Sequence, residues 1–152
     1  MKKVRSFLVV LIVFSACQIS EQQTAEGQLE KTSKAIRAAF AAGDVDEIIK
    51  YHHPDVSKVF SYEDTPKNFD EVRSSLVELT TYNDVSFGTG QVESLVINGS
   101  TAILQSLFVI KGTVKATGEE WEYKGRTMVI SVKYDKSPTG WATIREIVQP
   151  AP

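Results

Sequence analysis

Cysteine is almost missing: Cys17 is the only one in 152 residues, so no disulfide can form within the chain. Histidine is nearly as scarce. His52 and His53 are the only two, read here as the end of a helix, where neighbours point about 100° apart and serve one metal ion poorly. Adding Asp55 would supply a third ligand, but an imidazole near a helix C-terminus also complements the dipole there, so no metal is expected. There is no phosphate-binding loop, no dinucleotide fingerprint, no nucleophile with an adjacent base and no metal-ligand cluster, so no cofactor is expected either. An excess of basic charge is lacking too, with 17 Lys and Arg against 19 Asp and Glu. No long basic run compensates, which argues against nucleic acid as a partner. Internal repeats and low-complexity segments are absent.

Only one long hydrophobic run is present, Phe7 to Phe14, and it is too short to span a bilayer as a mature anchor. Lys2, Lys3 and Arg5 precede it, and Ser15 and Ala16 follow it, which is the layout of a secretory signal over residues 1–16. Phe14-Ser15-Ala16-Cys17 resembles a bacterial lipobox, in which the Cys after the cleavage point carries lipid; ordinary signal cleavage nearby is the alternative. Lipid on Cys17 would hold the protein on a membrane, since each buried CH₂ contributes roughly 0.8 kcal/mol and two or more chains make the anchor stable. Gln18 after the Cys resembles an outer-membrane address, so the expected location is the cell envelope, facing the periplasm. Cleavage would leave 14 Lys and Arg against the same 19 acids, a net charge near −5. Residues 17–28 read as lipidated Cys plus polar tether, and residues 29–150 as one domain with a real core.

Within that domain, Leu29, Ile36 and Phe40 recur at helical spacing among alanines, and Gly43 stops the helix. Asp44 with Glu47 forms a D-x-x-E capping box that starts a second helix, anchored by Ile48, Ile49 and Tyr51 and ended by Pro54. The two helices make an elbow. Residues 55–61 read as a short strand. Asn68 and Glu71 form another capping box, opening a third helix with Phe69, Val72, Leu76 and Leu79 as one apolar stripe. The rest reads as four antiparallel strands, over residues 87–97, 101–115, 119–134 and 141–148. Asn98-Gly99, Thr117-Gly118 and residues 136–140 supply the turns. The second of these strands is apolar on both faces, with Ala102, Leu104, Phe108 and Ile110 on one and Ile103, Leu107 and Val109 on the other. A sheet open to water on one side would be polar there, so a homodimer through the sheet face is expected.

Ala41-Ala42-Gly43-Asp44 with Asp46, His53-Pro54-Asp55, Gly125-Arg126, and Gly140-Trp141 with Ile144 together resemble the nuclear transport factor 2-like superfamily, in particular its SnoaL-like and ketosteroid-isomerase-like branches. The resemblance implies an α+β fold, a curved and mostly antiparallel sheet wrapped by three N-terminal helices into a cone (cystatin-like), with a pocket at its open end. It also implies positions for the isomerase groups. The Tyr falls on Ile36, the base on Phe60, and the Asp donor near Ile130 or Ser131, and none of these can do that chemistry.

Candidate pocket residues are therefore sought elsewhere. Arg126 shares a strand face with Met128, Ile130 and Val132, and Glu146 shares one with Ala142, Ile144 and Val148. If the 136–140 turn sets the register, these faces coincide and the two charges adjoin, as a rim ion pair or as a site for an anionic or carbonyl ligand. His53 is a candidate base, and Tyr51 and Tyr62 are placed to reach the pocket mouth. Trp121, Tyr123 and Trp141 fall on the opposite face and are expected to cover the sheet or dimer surface. Two functions follow: a non-catalytic small-molecule-binding or assembly domain, or a SnoaL-like cyclase, dehydratase or isomerase acting on a small carbonyl compound through Arg126, Glu146 and His53.

Overall fold

A computed structural model describes residues 5–61 and 63–151, with side chains from residue 24 onward. Helix α1 (Arg5–Ala42) ends where Gly43 takes φ 66°, a left-handed conformation that a residue with Cβ adopts only under strain. The amide of Asp44 returns to the Ala39 carbonyl at 2.9 Å, and the Asp44 side chain then accepts from the Glu47 amide at 2.9 Å to open α2 (Val45–Ile49). The elbow forms as its residues dictate, with two corrections. Glu47 does not reach back to the cap; Lys50 and Tyr51 hold its carboxylate at 2.7 and 3.1 Å. And α2 stops after five residues, so His52 and His53 belong to strand β1 (His52–Val59) rather than to a helix. The Thr143 amide captures the Tyr51 carbonyl at 2.9 Å, and pairing with the sheet takes over.

Residues 18–28, expected as a tether, continue α1. Ala25 is buried against Ala102 and Trp141, and Gln28 accepts from Trp141 Nε1 at 3.0 Å. Among the described side chains, the packed stripe of α1 includes Ala25, one turn before Leu29. Helix α3 (Phe69–Tyr82) carries the complete reciprocal cap, Glu71 N to Asn68 Oδ1 at 3.1 Å and Asn68 N to Glu71 Oε2 at 2.8 Å.

Strands β2 (Asn83–Phe87), β3 (Gln91–Asn98), β4 (Thr101–Val114), β5 (Glu120–Lys133) and β6 (Trp141–Pro150) complete one sheet. Its order is β1-β6-β5-β4-β2, with β3 also on β4. All pairings are antiparallel except β1 with β6, so the sheet is mixed. Pro54 is tolerated because β1 is an edge. The single strand expected over 87–97 is two: β2 pairs with the last part of β4 and β3 with the first. Between them the backbone passes so close to β4 that a Cβ on Gly90 would lie 2.9 Å from the Leu107 carbonyl oxygen. The hairpin turn is Gly99-Ser100, not Asn98-Gly99, and only Gly99 has positive φ, the pattern of a II′ turn.

The decisive irregularity lies in β6. Ile130 pairs with Arg145 but Ser131 pairs with Thr143, so Ile144 is an extra residue on β6. Side chains beyond this bulge change face relative to the turn. Val129 opposes Glu146 on the inner face, whereas Arg126 opposes Gln149 on the outer.

Candidate functional site

The helices and the concave sheet face enclose a cavity of about 970 Å³. Ile36 and Phe40 of α1, Leu76 and Leu79 of α3, and Leu104 and Val129 of the sheet give it apolar walls. One wall is a run of rings: Phe40 meets Phe87 edge-on at 5.2 Å, Phe87 meets Phe108 at 6.5 Å, and Phe108 meets Tyr123 at 5.9 Å. Glycines make room for two rings. A Cβ on Gly125 would sit 2.5 Å from the Phe108 ring, and one on Gly112 would sit 2.2 Å from the Trp121 ring. Trp121 and Tyr123 thus face inward, contrary to the expectation that they cover the outer surface. Trp141 is core, fully buried against Ala25 and Ala102.

Polar groups gather where β1 meets β6. Lys58 and Glu146 are register partners there and form an ion pair, with side chains only 12% and 18% exposed. The other Glu146 oxygen accepts from Thr127 Oγ1 at 3.2 Å, so the carboxylate is held on both sides. His52 lines the same cavity. Its Nδ1 lies 3.1 Å from the Ile48 carbonyl oxygen, which can only accept, so Nδ1 carries the proton. Burial, with the Lys58 charge adding to it, pushes the His52 pKa well below the usual imidazole value and keeps the ring neutral. Every fully buried side-chain nitrogen or oxygen among the described residues has a partner. Nε2 has none, so it opens on the cavity.

The sequence candidates divide. Glu146 is in the cavity. Arg126 is not: it lies on the outer face, bidentate to Glu93 at 2.9 Å for both Nε and Nη2, and Gln105 also binds Glu93 at 3.0 Å. The guanidinium holds the Glu93 carboxyl below the usual range. The expected Arg126–Glu146 neighbours are therefore separated by the sheet, and the cause is the Ile144 bulge. His53 packs its ring against Tyr134 at 4.8 Å, and its Nδ1 accepts from the Asp55 amide at 3.1 Å, outside the cavity lining. Tyr51 is buried and spends its hydroxyl on Glu47, not on the mouth. Tyr62 lies outside the described residues, as does the Cys17 side chain.

Lys58 and His52 were missed. Lys58 could have been found by the rule that singled out Arg126 and Glu146, a charge in an apolar row (Val56, Lys58, Phe60). His52 was hidden by its assignment to a helix. Among the described residues no group of three His, Cys, Asp or Glu side chains is placed to hold a metal. Of the positions onto which the resemblance maps the isomerase groups, Ile36, Phe60 and Ser131 line the cavity, and Ile130, the alternative to Ser131, is not in the lining.

No family model matches the chain, and no curated protein matches it. Solved structures do. A conserved protein from Planctomyces limnophilus superposes with TM-score 0.75 at 18% identity, over 85% of this chain and 99% of its own. A nuclear transport factor 2-like superfamily protein from Salmonella enterica superposes with TM-score 0.70 at 10% identity, over 86% and 94%. A ketosteroid isomerase-like protein from Erwinia carotovora gives TM-score 0.63 at 19% identity, over 81% and 94%. Identities this low speak for fold alone. The chain has the nuclear transport factor 2-like fold, an α+β cone of helices on a curved sheet.

Proposed function

We propose that the protein binds one small amphipathic molecule inside the cone without transforming it. The observation that carries this reading is the cavity itself: about 970 Å³ with mainly apolar walls and a polar cluster of Lys58, Glu146, Thr127 and His52 where β1 meets β6. Ile36, Phe60 and Ile130 or Ser131 support it, because the positions onto which the resemblance maps the isomerase acid and base hold no ionisable group. Native mass spectrometry of protein extracted from its own membrane tests it. The expected spectrum contains a co-purified molecule of a few hundred daltons; ligand-free protein that takes up no amphiphile would count against it.

A second reading, an enzyme acting on a small carbonyl compound, draws on Glu146, Lys58 and His52 sharing that cavity. Arg126 and His53 have no part in it. Product formation from a panel of carbonyl compounds, lost in Glu146→Gln, would favour this second reading over the first.

The wider setting is also proposed. Lipid on Cys17 would place the domain at the cell envelope, on the periplasmic side of the outer membrane; labelling with palmitate, abolished by Cys17→Ala, tests that. A second copy would cover the outer sheet face.

A further inference from the structure

The polar end of the cavity holds a full cation, yet its charge adds to nothing. Lys58 and Glu146 neutralise one another across β1 and β6, and each Glu146 oxygen has a partner, Lys58 on one and Thr127 on the other. Lys58 has three N–H donors, and among the described residues Glu146 is its only partner, which leaves donors for whatever enters. His52 adds no charge, since it is neutral with its proton on Nδ1. Around the whole cavity stand the cations Arg37, Lys58 and Lys67 and the carboxylates Glu26, Glu30, Glu122 and Glu146, with Glu30 paired to Lys34 and Glu122 to Lys111 and Lys124. Arg37 lies over the Phe87 ring, and Lys67 is engaged by Ser75 and the Phe60 ring.

From this geometry we infer that the Lys58–Glu146 pair is a headgroup filter: it accepts an uncharged oxygen, such as a hydroxyl or a ketone or ester carbonyl, and turns away a carboxylate. The inference rests on the cavity being a binding site, as proposed above. An uncharged oxygen takes one N–H from Lys58 and leaves the ion pair intact. A carboxylate must lose its water and sit beside Glu146, competing for a cation already shared, and desolvating a charge without a partner of its own is far costlier than desolvating a neutral acceptor.

The test compares decan-1-ol and decan-2-one with decanoate at neutral pH, following Trp121 fluorescence in the whole protein. Both neutral ligands are expected to bind at least about tenfold more tightly than decanoate. Decanoate binding as well or better overturns the filter while leaving the cavity as a binding site; failure of all three removes both proposals together. In Glu146→Gln the cation loses its partner, and the preference is expected to shift: decanoate affinity rises at least about tenfold over wild type, and the ratio of decan-1-ol to decanoate affinity falls accordingly. No gain for decanoate in a variant that still binds decan-1-ol overturns the filter. The wild-type comparison decides the matter by itself if that variant does not fold.

Discussion

His52 links stability to pH. Its folded pKa lies well below its unfolded value near 6.5, so the unfolded chain binds the extra proton first. The stabilising contribution is therefore complete above pH 6.5 and is lost as pH falls below it. The slope is at most about 1.4 kcal/mol per pH unit. The carboxylates held low by their partners among the described residues, Glu30, Glu47, Glu93 and Glu122, lose their contributions only below about 4.5, which leaves the window from 6.5 to 5 to His52. Urea midpoints should fall across that window in wild type, and His52→Asn, which keeps a donor for the Ile48 carbonyl, should flatten the fall. Gly112 makes a second prediction at this scale. A methyl group there would collide with the Trp121 ring, whose Nε1 also binds Asn83 at 2.9 Å. Gly112→Ala should destabilise by about 1–3 kcal/mol, measured by urea denaturation, with a shifted Trp emission. Neither His52 nor Gly112 was legible from local pattern, because both depend on what a neighbouring strand brings against them.

Secondary-structure elements were more readable, for a physical reason: their ends are written in adjacent residues. Asn68 and Glu71 fix the start of α3 through bonds spanning three residues, and Gly43-Asp44 fixes the elbow in the same way. Asn68→Ala should cost about 1 kcal/mol in thermal or urea unfolding, with the fold retained. Strand facing was legible only up to the first irregularity. On β4 the alternation held, and Ala102, Leu104, Phe108 and Ile110 do face the cavity. On β6 one extra residue, Ile144, reversed the relation between Arg126 and Glu146, and nothing in the local pattern announces a bulge. The same limit hid β1. Its parallel partner, β6, lies some ninety residues downstream, so His52 and His53 looked like the tail of a helix until that pairing was known.

At the scale of the molecule, the two sheet faces have different tasks. The inner face walls the cavity. The outer face leaves Val96 and Ile147 each 55% exposed, with Ile103 and Met128 between them, in two neighbouring rows that cross β3 to β6. Arg126, Glu93 and Gln105 lie beside those rows. Exposed apolar side chains in such a group mark an interaction surface. If a second copy covers it, sedimentation equilibrium should return twice the chain mass, and Met128→Lys with Ile147→Lys should return the monomer while leaving the inner cavity able to bind.

The central claim, an open amphipathic cavity inside the cone, is tested most directly by the two tryptophans. Trp121 lines the cavity, whereas Trp141 is 0% exposed in the core. Titrating decan-1-ol should change the emission saturably, at one molecule per chain, and the change should vanish in Trp121→Phe, which retains Trp141 alone. A saturable change that persisted in Trp121→Phe, or no change in wild type at any soluble concentration, would contradict the account.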